Sequence, residues 1–386
     1  MGFRNTAIVT TIFCMLILAA CGPQPVKPQA EMDTPEHHVT SGYKYLKAGK
    51  YDDALREFDR ARQLDPKYGP AYLGLGLTSA HQQDYEKALD FVGTAKKYAK
   101  GDEQTYDVQV GYMQVYYLGR ETIDANWLGE MRGAYSNALR ITEERPDAFY
   151  YMGLGYKVSY EFRKSVMEFT RVLDLKKGFV AEADREYTLV QKIERAMPGS
   201  TVGKKIALLE QITRADLAAL FIEELKIDDL YRRKAKRTFD TGFKAPGQSA
   251  VPTAGPRLPP DISTHVLKAD IEAVIAMGIK GLQPFPDGNF NPDANITRAE
   301  YAMIVEDILI TITGDTSLAT MFIGNKSPFP DLRSDLPYFN AAMVCTSRGI
   351  LEAVDLGTGE FRPTGVISGA DALLSIRALK SQLNQY

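Results

Sequence analysis

One phrase of fourteen residues occurs twice in this chain, and an altered third copy follows. Residues 212–225 read ITRADLAALFIEEL, residues 296–309 read ITRAEYAMIVEDIL, and the altered copy, ISGADALLSIRAL, begins at Ile367. Self-similarity of this kind is typical of proteins built from repeated units. It favours a multi-copy binding module over a single catalytic pocket.

The repeat extends backwards from the second and third copies of the phrase. Gly278 and Gly349 each precede the opening isoleucine by eighteen residues, and the letters GNFNP at 288–292 return as GEFRP at 359–363. We therefore predict, in each unit, a helix that stops at the glycine, a loop rich in Pro, Asp, Gly and Asn, and a second helix opened by the phrase. The first of these helices is predicted over residues 269–277 and 338–347.

This pattern resembles the S-layer homology family, a module that attaches proteins to cell-wall polymers. The most specific matches are FPDG at 285–288, NPD at 291–293 and ITRAE at 296–300, and the resemblance covers residues 199–386. It implies a mainly helical bundle with short loops and strands. The first copy is incomplete, because nothing upstream of Ile212 repeats the loop.

Each copy of the phrase carries the residues of a capping box. A Thr or Ser stands before the helical pattern and an acid follows three residues later. The pairs are Thr213 with Asp216, Thr297 with Glu300, and Ser368 with Asp371. In such a box the hydroxyl and the acid each accept from one N–H at the helix start. We expect these six residues to be structural, with caps stabilising by about 0.5–2 kcal/mol each.

The arginine after the cap is harder to explain by stability. A cation in the first turn faces the positive end of the helix dipole, at a cost of roughly 0.3–1 kcal/mol. Arg214 and Arg298, replaced by Gly369 in the third copy, are therefore predicted to form anion pockets beside free helix N–H groups. The family resemblance associates this arginine with acidic groups of wall sugars, and we place Asp287 and Gly288 in the same wall-polymer site. The alternative is an ion pair with a neighbouring acid.

Metal and enzyme chemistry find no support in the motifs. The loop from Asp287 has Pro292 and Arg298 where a calcium-binding EF-hand needs glycine and glutamate, so we expect a turn and no metal. The four histidines are scattered. Cys345, on an apolar helix, is expected to be a buried, inert thiol. Neither a carboxylate pair nor a nucleophile with its base can be assembled, so we expect no cofactor and no catalysis.

A different periodicity, near thirty-four residues, runs through residues 38–175. Small and aromatic residues carry it: Gly42, Tyr45, Ala54, Phe58, Ala61 and Pro66, then Tyr72, Leu75, Gly76, Ala88 and Ala95. These positions resemble tetratricopeptide repeats, and we predict four helix pairs, the third with a lengthened turn at 122–127. Gly42 and Gly76 are expected to let paired helices approach closely.

The resemblance to tetratricopeptide repeats implies a concave face that takes a protein partner, which the sequence does not identify. Tyr112, Tyr116 and Tyr117 could line that face. Their helical spacing favours the other interpretation, in which they pack between helices.

The N-terminus looks like a secretory leader. Arg4 is followed by an apolar stretch at 6–20 that is shorter than the roughly 18–20 residues needed to cross a bilayer. The end of the stretch resembles a bacterial lipobox, which implies that Cys21 is acylated and holds the protein at a membrane surface. Gly22 stands where an aspartate would favour inner-membrane retention, so we expect the outer membrane, facing the periplasm.

A net charge of −3 argues against nucleic acid as a partner. The features above also predict how the chain is divided into segments. The predicted segments are a signal peptide (1–20), a flexible tether (21–37), a tetratricopeptide solenoid (38–198), a partial first S-layer homology repeat with a Pro/Gly-rich linker (199–260), a second repeat (261–325) and an altered third (326–386).

Two functions remain open from the sequence. The first is a lipid-anchored, non-catalytic envelope protein that binds peptidoglycan or a related acidic cell-wall glycan through its C-terminal repeats and a protein partner through its solenoid. The second is a periplasmic assembly factor that uses both regions for protein contacts alone.

Overall fold

The computed structural model describes residues 25–237, 258–355 and 357–383. The chain divides into two compact units, Met1–Tyr187 and Thr188–Tyr386. The fold is mainly α-helical, as the sequence predicts. Within the described ranges the β-structure consists of isolated bridges.

The first unit is built from consecutive helix pairs. The helices are Pro35–Lys47 (α1), Tyr51–Leu64 (α2), Gly69–His81 (α3), Tyr85–Tyr98 (α4), Gly101–Gly119 (α5), Trp127–Ile141 (α6), Asp147–Val158 (α7) and Phe162–Leu175 (α8). Each odd-numbered helix packs against the helix that follows it. The predicted four pairs are confirmed. The lengthened turn is also confirmed, since a 3₁₀ turn at Arg120–Thr122 and four further residues separate α5 from α6.

Glycines set the closeness of these pairs. A Cβ on Gly42 would lie 2.6 Å from the Phe58 ring, and one on Gly76 would lie 2.7 Å from Val92 Cγ2. Ala54, Ala61, Ala88 and Ala95 are completely buried. The predicted structural role of these small residues is therefore confirmed, because any larger side chain would separate helices that the core holds in contact.

The three tyrosines of α5 pack against the core. Tyr112, Tyr116 and Tyr117 are partly buried against a cluster that includes Met113 and Trp127. Burial raises the pKa of all three phenols above the ordinary value. The interpretation that they pack between helices is confirmed.

The start of the described chain corrects the predicted tether at 21–37. Helix α1 begins at Pro35, where the Thr34 hydroxyl accepts from His37 N. Upstream of it, Val26 N donates to Gln63 O at 2.8 Å and Arg60 Nε donates to Asp33 Oδ1 at 3.0 Å. Residues 26–37 therefore include contacts to α2 that composition alone does not reveal.

Several predictions fall on residues outside the described ranges. These are the leader at 1–20, the lipidation site Cys21 and most of the predicted linker. Within the ranges that are described, no helix has both the length and the apolar character that a membrane crossing requires.

The second unit contains the three copies of the repeated phrase. Its helices are Val180–Ala196 (α9, which spans the division between the units), Thr201–Ile206 (α10), Arg214–Leu220 (α11), Ile227–Arg237 (α12), Lys268–Met277 (α13), Arg298–Thr313 (α14), Phe339–Ser347 (α15) and Gly369–Leu383 (α16). A π-helical turn, Phe221–Leu225, continues α11. The predicted glycine stops are confirmed, since Gly278 and Gly349 have φ values of +69° and +65°.

The three copies close into a ring through their opening isoleucines. Ile212 N donates to Ile367 O at 3.1 Å, Ile296 N donates to Ile212 O at 3.0 Å, and Ile367 N donates to Ile296 O at 3.0 Å. All three side chains are buried. The second unit therefore has a cyclic core in which each copy contacts the other two.

We expect Gly76→Ala to lower the stability of the first unit by about 1–3 kcal/mol, because the added Cβ has no room. It would lie 2.7 Å from Val92 Cγ2 and 3.0 Å from Ala88 O. Gly133→Ala is the matched control, since its Cβ would meet nothing within 4 Å, and it should stabilise by up to ~1 kcal/mol. Urea denaturation followed by the fluorescence of Trp127 measures both. Equal stability of the two variants would contradict the packing described.

Candidate functional site

The helix starts of the first two copies are closed by complete capping boxes. Thr213 Oγ1 accepts from Asp216 N at 3.1 Å, and Asp216 Oδ2 accepts from Thr213 N at 2.9 Å. Thr297 and Glu300 make the same two bonds at 3.2 and 2.8 Å. These side chains satisfy N–H groups that a helix start otherwise leaves open.

The third copy has a partial version of this cap. Ser368 Oγ accepts from Asp371 N at 3.1 Å and donates to Asp371 Oδ2 at 2.6 Å. Asp371 also pairs with Lys192 Nζ at 2.7 Å. The acid of this copy thus has a second contact, with helix α9.

Arg214 is buried in the loop of the following copy. Its Nε donates to Phe290 O at 2.8 Å, Nη1 to Gly281 O at 2.7 Å and Nη2 to Gln283 O at 3.0 Å. The guanidinium carbon also lies 4.6 Å from the centroid of the Phe285 ring. Burial lowers the pKa of Arg214 below its ordinary value, yet an arginine remains charged. The side chain therefore joins the first copy to the second.

Arg298 repeats this arrangement one copy later. Its Nε donates to Phe361 O at 2.7 Å and its Nη2 to Glu352 O at 2.5 Å. The guanidinium carbon lies 4.9 Å from the centroid of the Phe361 ring. Main-chain carbonyls and aromatic rings are thus the partners of both arginines. In the described part of the chain no acidic side chain forms an ion pair with either arginine, so the alternative of an ion pair with a neighbouring acid is wrong there.

The helix N–H groups beside the arginines are not free, which corrects the physical basis of the predicted anion pockets. Arg214 N donates to Ala294 O at 2.8 Å, and Ala215 N donates to Pro292 O at 3.0 Å. The equivalent groups of the next copy, Arg298 N and Ala299 N, donate to Gly365 O and Pro363 O. The loop of the following copy takes the donors that an anion would need.

Gly369 fits the truncated first copy. Its N donates to Leu209 O at 2.9 Å, and a Cβ at this position would lie 1.7 Å from Ile206 O. The first copy has no long loop, so its main chain at 206–209 contacts the third helix start directly. The absence of the loop from the first copy and the absence of the arginine from the third are therefore explained by the same contact.

Asp287 and Gly288 lie exposed at the tip of the second copy's loop. Asp287 Oδ1 accepts from Asn289 N at 2.9 Å, and Gly288 has a φ of +88°. A positive φ of this size favours glycine. Both residues order the turn, which is the local structure expected from the sequence.

Sequence reasoning missed two aspartates that hold the loops. Asp261 Oδ2 accepts from Phe290 N at 3.0 Å and from Asn291 N at 2.7 Å. Asp331 accepts from the equivalent groups of the next copy, with Oδ1 from Phe361 N at 2.8 Å and with Oδ2 from Arg362 N at 2.6 Å. The signal was present as a Pro-Asp pair about thirty residues upstream of each loop, at 260–261 and 330–331.

The second unit contains a cleft of about 640 Å³. Its walls are the C-terminal end of α9, the turn at 349–354 and one face of α16, and Arg298 borders it. Its charged lining residues are Lys192, Arg195, Arg298, Arg377, Glu352 and Asp371. The cations outnumber the acids, so the cleft attracts anions. The sequence did not point to Lys192 or Arg195, since both lie in a helix assigned to the solenoid.

No cluster of three or more metal-ligating side chains occurs in the described ranges. Cys345 is buried, and burial raises the pKa of its thiol well above the usual range. A thiol held protonated in this way is a poor nucleophile.

We expect Arg214→Lys to destabilise the second unit by about 2–4 kcal/mol, because a lysine keeps the charge but loses the fork of donors and the ring contacts. Arg232→Lys is the control, since Arg232 is exposed and should change stability by less than about 0.5 kcal/mol. Unfolding in urea is followed by circular dichroism and by the fluorescence of Trp127, which lies in the first unit. The measurement is the midpoint of the circular dichroism transition that the fluorescence does not report, since that transition belongs to the second unit. An Arg214→Lys protein as stable as the parent would show that charge alone suffices.

Gly369→Ala and Gly369→Arg should both destabilise the second unit, the arginine more strongly, although Gly369→Arg restores the phrase of the other copies. The reason is the 1.7 Å approach of an added Cβ to Ile206 O, which only a main-chain shift can relieve. We expect a loss of at least about 1–3 kcal/mol for the alanine. Thermal unfolding followed by circular dichroism measures it. A stabilised Gly369→Arg protein would refute the proposed contact with the first copy.

Comparisons with known proteins agree with both resemblances found in the sequence. Residues 45–109 match the tetratricopeptide repeat family, and residues 260–302 match the S-layer homology domain. Cell surface glycoprotein 1 of Acetivibrio thermocellus is 30% identical over 176 residues, which is 44% of this chain and 6% of that relative. The chain therefore spans a small part of the relative's length.

Each match has a general functional implication. An S-layer homology domain implies binding to the cell wall, and tetratricopeptide repeats imply protein–protein interaction. The S-layer homology domain and the cell-surface relative point to the cell envelope. The chain thus contains tetratricopeptide-like helical repeats and an S-layer homology domain.

Proposed function

We propose that this protein is a lipid-anchored, non-catalytic component of the cell envelope. It binds an acidic cell-wall glycan through its second unit and a protein partner through its first. The observation that carries the proposal is the cationic cleft of about 640 Å³ in the unit that contains the S-layer homology copies. A cleft of this size accommodates a few sugar residues, and its excess of cations favours acidic ones.

Of the two arginines predicted to bind wall polymer, Arg298 is the better candidate. It borders the cleft, and its Nη1 has no hydrogen-bond partner in the described part of the chain. Nη1 of Arg214 instead donates to Gly281 O at 2.7 Å. We therefore assign Arg214 to the contact between copies and Arg298 to that contact and to ligand binding together. Asp287 and Gly288 do not line this cleft.

The first unit offers a smaller cleft for an extended protein segment. It has a volume of about 150 Å³ and lies between α1, α3 and α5. Tyr43 and Leu73 supply apolar surface, and Asp107 and Gln104 supply polar groups. A mixed lining of this kind suits a peptide with an apolar side chain and a nearby donor. We propose this cleft as part of the partner's binding site.

The membrane anchor rests on the sequence alone. We propose that Cys21 is acylated and that the protein faces the periplasm from the outer membrane. Fatty chains on one cysteine would keep both units at the membrane surface. In this arrangement the chain connects the membrane, the wall and a protein partner.

A periplasmic assembly factor without glycan binding is the second candidate. The observation that favours it is the use of Arg214 and Arg298 within the fold, since each guanidinium donates to main-chain carbonyls of the next copy. Their presence in the phrase is therefore explained without a ligand. On this hypothesis both units make protein contacts only.

Co-sedimentation with purified peptidoglycan sacculi distinguishes the two functions. We expect the chain from Gly22 to Tyr386 to pellet with sacculi at low salt, and to be released as salt screens the cationic cleft. The measurement is the pelleted fraction as a function of salt concentration, with the protein alone as the control. A folded chain that stays in the supernatant at every salt concentration would favour the assembly factor.

A further inference from the structure

The wall of the cleft that the repeats do not supply comes from helix α9. This helix, Val180–Ala196, ends before the first copy of the phrase begins, and it contributes Lys192 and Arg195 to the cleft. Arg377 faces them from α16, and its Nη1 donates to the main-chain oxygen of Arg195. Cations from two separate elements therefore meet at one edge of the cleft.

The acids of the cleft do not neutralise this edge. The Asp371 carboxylate forms an ion pair with Lys192 Nζ at 2.7 Å and accepts a hydrogen bond from the hydroxyl of Ser368. The main-chain oxygen of Glu352 accepts a hydrogen bond from Arg298. Its carboxylate makes no bond to Arg195 or Arg377 in the described ranges. Arg195 is exposed, and its side chain has no ion pair or hydrogen bond there. Arg377 therefore contacts the main chain of Arg195, and both arginines line the same cleft.

The remaining lining suits a sugar. Leu351, Ala353, Leu374 and Ala378 supply apolar surface, and Ser381 adds a hydroxyl. Sugar rings have apolar C–H faces and polar edges, so a cleft that combines an apolar floor with a cationic edge matches a ring that carries an acidic group. Guanidinium groups bind planar carboxylates through two parallel hydrogen bonds, which lysines cannot do.

We propose that Arg195 and Arg377 form a carboxylate-recognition pair and make the cleft selective for a carboxylated polysaccharide. The inference rests on the proposed wall binding and adds two binding residues, one of which lies outside the repeated copies. Arg298 Nη1 is the third donor available from the cleft wall. Phosphate groups of a wall-linked polymer share the anionic chemistry, and the experiment separates them from carboxylates.

The test compares the affinity of two double variants of the chain from Gly22 to Tyr386 for sacculi, by co-sedimentation. Arg195→Gln with Arg377→Gln removes the pair, whereas Arg232→Gln with Arg333→Gln removes the same charge from exposed positions outside the cleft. We expect the first to weaken binding at least about tenfold and the second less than about twofold. Arg195→Gln alone, which removes no hydrogen bond, should weaken binding as well.

Treatment of the sacculi identifies the anionic group. Converting their carboxylates to amides should reduce binding of the unmodified chain to the level of the Arg195/Arg377 variant. Removing phosphodiester-linked polymers with hydrofluoric acid should leave binding unchanged, and a loss there instead would overturn the carboxylate assignment. Equal binding by both double variants would overturn the arginine pair while wall binding stands. No binding by the unmodified chain would overturn both proposals.

Discussion

The guanidinium of Arg214 donates to three main-chain carbonyls in the loop of the next copy, and Arg298 makes the same kind of bond one copy later. The loops are irregular, and their buried carbonyls need donors because unsatisfied polar groups are costly. One arginine supplies several donors in a fixed plane. A residue that opposes the helix dipole is stabilising here, since the loop carbonyls outweigh the roughly 0.3–1 kcal/mol that the dipole costs.

The ring of copies explains why the third one differs. In a ring, every helix start must meet the next copy, and the third start meets the first copy. The first copy has no long loop, so it offers no loop carbonyls to which an arginine could donate. The main chain at Ile206 instead packs directly against Gly369. The altered residue is matched to its neighbour, and it does not by itself indicate a copy that has lost its role.

Local patterns were predictable from the sequence, and contacts across the ring were not. The boxes at Thr213 and Thr297 span three residues, and the stops at Gly278 and Gly349 depend on one backbone angle, so short-range rules describe them. The partners of Arg214 lie 67 to 76 residues away and follow from ring closure. The cleft could not be predicted from short-range patterns either, since two of its lining residues, Arg195 and Arg377, are 182 residues apart in the sequence.

The most direct test of the account is a crystal structure of the chain bound to a carboxylated wall-glycan fragment. We expect the carboxylate between Arg195 and Arg377, with Arg298 Nη1 within hydrogen-bonding distance and the contacts of Arg214 unchanged. This result would show that Arg214 only joins two copies, whereas Arg298 joins copies and also binds ligand. A fragment bound at the Arg214 helix start or at the Asp287–Gly288 turn, with the cleft empty, would contradict it.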